Sequence, residues 1–255
     1  MAPKTEPMPW HSLQAKVSDT FAQARWETLN LVQWLARIAN SYVEGRTPED
    51  RVLLAFRAAD AAFVTKTFAG FALELRLPTL QMQFLDDGRP TPHILDPEEH
   101  SPAEVEAYLL IELLHRGIDR SKFSKKLPYN IPDLMSGDED DHSPQACMAG
   151  LTQLTAWFQN AAAVLEATAR AAGAGKVEIV CWPQTLTLTC VSDAGPTGFG
   201  FSPGDTQSPA PFFYRNARSA NGSANSNGRT ILTASKLLAE RDPAAAAAAF
   251  MSESK

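Results

Sequence analysis

Five histidines, His11, His93, His100, His115 and His142, are the side chains here best suited to moving protons or holding a transition metal near neutral pH. Their spacing shows no metal motif: no two stand four apart in a helical stretch, and HExxH is absent. None follows His142, so composition alone excludes a histidine-based metal site on the C-terminal strands. The acidic run Asp138–Asp141 lacks the alternating ligands and closing glutamate of a calcium loop and reads as a solvated loop. Its sign complements the basic run Arg116–Lys126. The expectation is no metal and no cofactor.

Other chemistry-bearing strings fall short of their motifs. Gly173-Ala174-Gly175-Lys176 resembles a phosphate loop, yet Val177 stands where Ser or Thr is required, and the string precedes a strand. Gly198-Phe199-Gly200 has neither a third glycine nor a following helix. GxSxG is absent, and Ser202 is the nearest nucleophile candidate, with no histidine nearby in sequence. Pro203, Gly204 and Asp205 after it spell a turn: a fixed φ, a positive φ, and a carboxylate that bonds backbone amides. Cys147, Cys181 and Cys190 form no CxxC and read as buried free thiols in a reducing compartment. The residues left for a ligand are polar groups beside aromatics: Trp182, Gln184, Thr185, Thr187, Ser202, Asp205 and Tyr214.

The elements that must position these groups follow from periodicity. Leu31, Trp34, Leu35, Ile38 and Tyr42 recur at helical spacing, which predicts a helix over about 12–44 with Trp26 and Trp34 in the core. Leu73, Leu75 and Leu77 alternate, then Leu80, Met82 and Phe84 alternate in the opposite phase, which predicts a hairpin or kink at Pro78. Ser101-Pro102-Ala103-Glu104 is a capping box with Pro at the first helical position, and Gly117 is the stop. The buried face between is expected to be Val105, Tyr108, Leu109, Leu113 and Leu114. Ser143-Pro144 opens a further helix, with Met148, Leu151, Leu154, Phe158 and Leu165 as its stripe and Gly173 as its end. Strands are expected through Val177–Cys181, Leu186–Val191, Gly198–Ser202 and Phe212–Tyr214.

The chain also resembles a bacterial family known only as a domain of unknown function. The likeness is carried by Arg25-Trp26-Glu27-Thr28-Leu29-Asn30, Leu73–Phe84, Ser101–Val105, Leu127-Pro128-Tyr129-Asn130-Ile131-Pro132, Cys181-Trp182-Pro183, Gly198–Asp205 and Pro211-Phe212-Phe213-Tyr214. The resemblance implies a WPHHFD-like strand and a GHWHTEG-like segment, whose histidines and acids suit metal or acid–base work. Here Gln184 and Thr185 stand at the two histidine positions and Thr187 at the aspartate, and the segment near Asn221 and Ser223 holds no histidine. Gln and Thr can hydrogen-bond a ligand but cannot shuttle protons near neutral pH.

The fold class expected is α+β, a mostly antiparallel sheet covered by several long helices with a C-terminal helical tail. Residues 1–11 read as a leader, 12–214 as one domain, 215–229 as a flexible loop, and 230–255 as a helical segment packing on the domain. A net charge of −6 argues against nucleic acid. With no apolar leader and no long apolar run, no membrane is expected, and the location expected is cytoplasmic. The function expected is non-catalytic binding of a small molecule or protein, with a homodimer through the N-terminal helix as one form. The alternative is a hydrolase or transferase with a site near Trp182, Ser202 and Asp205, with Tyr214 and Glu74 as further groups.

Overall fold

The computed structural model describes residues 10–193, 195–218 and 224–252. Among these, six α-helices and ten antiparallel strands make the expected α+β architecture. None of the described helices is long and apolar enough to cross a membrane. Contacts concentrate in two compact units: Ser18–Thr155 with Val180–Thr187, and Ala156–Ile179 with the residues up to Val17 and from Leu188 onward. Each is described by itself.

The first unit opens with α1 (Asp19–Tyr42). The Ser18 hydroxyl accepts the Phe21 amide at 3.1 Å, so the helix starts at this cap rather than near Ser12. Leu31, Leu35 and Ile38 are fully buried. Trp34 is buried too, whereas Trp26 is 36% exposed, because it falls on the far side of the helix from that stripe. A second, polar stripe on α1 fastens the irregular segment after residue 118. Asn30 Oδ1 accepts the Met135 amide, Gln33 Oε1 accepts the Tyr129 hydroxyl, Asn40 donates to Lys126 O, and the Tyr42 hydroxyl donates to Asp119 O. Glu27 accepts from the Ser143 amide and lies 2.8 Å from Nδ1 of the buried His142. Glu27 and Asn30 of the Arg25–Asn30 string thus have structural work to do: they satisfy backbone and imidazole groups of a loop that lacks its own ladder.

After α2 (Pro48–Val52), the strands β1 (Leu54–Arg57), β2 (Ala62–Val64), β3 (Phe71–Arg76), β4 (Met82–Asp86) and β5 (Arg89–Leu95) pair in sequence order. On the other side of β1, Leu54 and Ala55 pair with Cys181 and Val180 of β6 (Val177–Trp182). The hairpin expected at Pro78 is present, with Leu75 opposite Met82 and Leu80 at φ 56°, which is how the apolar phase changes between the strands. One face of the sheet carries Phe63, Leu73, Leu75 and Phe84, all fully buried. On the other face, Glu74 is fully buried under the guanidinium groups of Arg57 and Arg76.

Helix α3 (Pro102–His115) follows β5. Its capping box is complete: Ser101 Oγ accepts the Glu104 amide, and the Ser101 amide donates to Glu104. At its end the Ile118 amide bonds Leu113 O and the Gly117 amide bonds Leu114 O, with Gly117 at φ 67°, a left-handed stop. Leu114 was expected inside but is 53% exposed; its place on the inward face is taken by Glu112. Helix α4 (Met148–Ala171) begins after a 3-10 turn, Pro144–Cys147, and Met148 is likewise exposed. A Cβ on Gly150 would overlap the Thr20 carbonyl, so glycine is what lets this helix lie against the start of α1.

In the second unit β7 (Thr187–Ser192), β8 (Gly195–Ser202), β9 (Phe212–Arg218) and β10 (Ala224–Thr233) pair in that order. Phe201 is the centre of its core, 5.9 Å from Trp157, 5.5 Å from Phe158 and 5.4 Å from Phe213 by ring centroids. A Cβ at Gly200 would overlap Leu188 O and the Tyr214 ring, which explains the glycine in the Gly-Phe-Gly-Phe strand. The stretch 215–229, read from composition as a loop, is strand at 215–218 and 224–229; Gly222 and its neighbours lie outside the described residues. The residues after it form α5 (Ala234–Leu237) and α6 (Pro243–Ser252), whose start is capped by Asp242 Oδ1 accepting the Ala245 amide.

Candidate metal centre

The two imidazoles at the heart of the site come from elements that sequence distance keeps apart. His93 lies on β5, and Glu112 and His115 lie one turn apart on α3. The Tyr108 hydroxyl donates to His93 O at 3.0 Å and ties the strand to the helix. Gly117 ends the helix directly after, so His115 and Arg116 stand on its last turn.

Glu112 is the pivot. Its side chain is 3% exposed, while those of His93 and His115 are 59% and 55% exposed. Oε1 lies 2.9 Å from His93 Nδ1 and 3.4 Å from His115 Nδ1. Oε2 accepts from Arg116 Nη1 at 2.6 Å. Arg116 also donates to Thr91 Oγ1 at 3.3 Å, and its guanidinium stands 4.2 Å from the Phe84 ring centroid. Burial works against the charged form of Glu112, but the hydrogen bonds from Arg116 and His93 outweigh it and hold the carboxyl below its ordinary range.

Among the described residues, His93, Glu112 and His115 are the group whose ligand atoms converge, all within 4.8 Å of one another. A tetrahedral zinc ion with ligands at about 2.0–2.2 Å needs donor atoms roughly 3.3–3.6 Å apart, so the set closes on an ion with small side-chain movements. Arg116 holds the far oxygen of Glu112 and leaves the near one facing the imidazoles, the arrangement in which an outer partner orients a ligand. The group opens on a shallow, solvent-open cleft of about 420 Å³ lined by Phe71, Asp86, Thr91, Pro92, His93, His115 and Arg116.

The residues singled out from sequence divide between the two units. Trp182, Gln184, Thr185 and Thr187 belong to the first. Trp182 is 38% exposed, Gln184 Nε2 donates to Asn130 O at 3.3 Å, and the Thr185 hydroxyl donates to Thr187 Oγ1 at 2.8 Å. Ser202, Asp205 and Tyr214 belong to the second unit. Ser202 is buried, with Oγ accepting the Gly204 amide, and Asp205 Oδ1 accepts the Gln207 and Ser208 amides at 3.0 and 2.7 Å, as a turn requires. Arg229 stands 4.1 Å from the Tyr214 ring centroid and 3.8 Å from Asp205 Oδ2. Glu74 is committed to Arg57 and Arg76.

The convergence of His93, Glu112 and His115 was invisible in the chain order. Its only one-dimensional trace is Glu112 and His115 three apart at the end of a well-capped helix, and His93 is contributed by a strand outside any motif. The cysteines are poor alternatives: all three are buried and unpaired. Burial pushes the Cys147 and Cys190 thiols up to about 11 and Cys181 higher still. A thiol reagent at neutral pH is therefore expected to label no cysteine in the folded protein and all three in denaturant. The same shifts set a pH dependence. A raised folded pKa contributes stability fully present below the unfolded value of 9.0 and lost as pH climbs through about 11, so urea midpoints should fall across that window.

No protein-family model, no curated protein and no solved structure matches this chain.

Proposed function

We propose that this protein works by binding, and that its binding centre is a divalent transition-metal site made by His93, Glu112 and His115. The observation that carries the reading is the convergence of two imidazole nitrogens on one oxygen of a buried carboxylate whose other oxygen is held by Arg116. Two nitrogen ligands and one carboxylate suit zinc, iron(II) or cobalt(II) better than magnesium or calcium, which take oxygen ligands. Nδ1 of His93 lies 2.9 Å from Oε1, so an ion taken up by that nitrogen replaces this contact and leaves the ring N–H on Nε2. The strand-corner residues Gln184, Thr185 and Thr187 can bond a ligand but lack proton-transfer groups, which supports binding rather than turnover there. Unpaired, buried thiols support a reducing, cytoplasmic location, and the net charge of −6 supports a small-molecule or protein partner over nucleic acid.

Titration of the chelator-treated protein with zinc in a calorimeter tests this. One ion per chain is expected, with a thermal midpoint that rises with free zinc, by the equivalent of about 2.7 kcal/mol at a hundredfold excess over the dissociation constant. His93→Ala and His115→Ala, both at exposed positions, should fold normally and lose the midpoint shift. Equal zinc binding by wild type and both variants, or none by wild type, would overturn the reading.

A further inference from the structure

We infer that an ion held by His93, Glu112 and His115 keeps a coordination position open to the adjoining cleft, and that this position takes a small carboxylate with an apolar body. The inference rests on the metal-binding reading above and adds the ligand class.

Ligand number is the first support. Zinc sites closed for structural purposes use four protein ligands, whereas three leave a position for water or a ligand. Among the described residues, no fourth His, Cys, Asp or Glu joins the converging group. Exposure gives the direction. Glu112 sits at the back, almost wholly buried, and does not line the cleft, while the two imidazoles are more than half exposed and do. The face of the ion away from Glu112 is therefore the face toward the cleft.

Charge decides the sign of the occupant. With neutral imidazoles, a divalent ion and Arg116 exceed Glu112 and Asp86 by one positive charge, so an anion is favoured. Arg116 already donates to Glu112 and Thr91, so the anion's oxygen goes to the ion, with the guanidinium acting as a fixed background charge. Phe71 and Pro92 supply an apolar wall beside it. A carboxylate on a short apolar body meets both requirements on this open cleft.

The test uses the whole chain loaded with cobalt(II), whose visible absorption reports its ligands. Acetate and benzoate are titrated in turn at constant ionic strength. Each should change the spectrum saturably, with benzoate about tenfold tighter than acetate because part of its ring leaves water. Pro92→Ala should narrow the benzoate preference and leave acetate unchanged. A cobalt spectrum that is lost in His93→Ala yet unmoved by either carboxylate sinks the open position and spares the metal site. Failure of the wild type to hold cobalt sinks both.

Discussion

Glu112→Ala is expected to lower the unfolding free energy by about 3–5 kcal/mol and to abolish zinc binding. Two separate consequences meet in that carboxylate. It is the carboxylate that faces both imidazoles, and it is also the counter-charge of Arg116, whose side chain is only 9% exposed. Without Glu112 the guanidinium stays packed on Phe84 with one hydroxyl and one carbonyl for company, an uncompensated charge out of water. Glu112→Gln separates the effects. Its amide oxygen can still accept from Arg116, so most of the stability should return, while a neutral amide is too poor a ligand to restore the ion. Urea unfolding of the metal-free variants measures the first quantity, and metal content after dialysis against zinc measures the second. If Glu112→Ala unfolds at the wild-type midpoint, the buried pair is not what holds the end of α3 to the sheet.

The second large effect lies on the opposite face of the same strands. Glu74 is fully buried, while Arg57 and Arg76 above it are 38% and 41% exposed. Arg57→Ala or Arg76→Ala alone should cost about 1 kcal/mol or less, because the remaining guanidinium still neutralises Glu74. The double variant strands a carboxylate beneath Val64 and Gln83 and should cost about 3–5 kcal/mol, well beyond the sum of the singles. Adding Glu74→Leu to the double variant should recover most of the loss, since the charge is then gone and the strand face filled. A double-mutant cycle that proves additive would show that Glu74 finds compensation elsewhere.

Local signals were legible wherever backbone chemistry is local. The Ser101–Glu104 box, the Gly117 stop, the Gly173 stop and the turn at Pro78 each depend on residues within a few positions of one another, and each is present. Side-chain facing was less legible. Leu114 and Met148 fit an apolar stripe yet point outward, because burial is set by what packs against a helix rather than by its own periodicity. The Asn-, Ser- and Gly-rich stretch around β9 and β10 reads as loop by composition, but ladder pairing such as Thr230 with Arg215 overrides a weak strand propensity. The resemblance directed attention to Trp182, Gln184 and Thr185, whose described hydrogen bonds are those of a turn and its docking to Asn130.

The order of residues by itself determined the α+β class, the caps that start and stop α3, and the absence of imidazole from the strands after β6, since each follows from composition or from contacts a few residues apart. Only the tertiary structure decided that His93 meets Glu112 and His115. That meeting needs β5 laid beside the last turn of α3 and Arg116 turned onto Phe84 to hold the carboxylate, and no spacing along the chain encodes the packing of a strand against a helix.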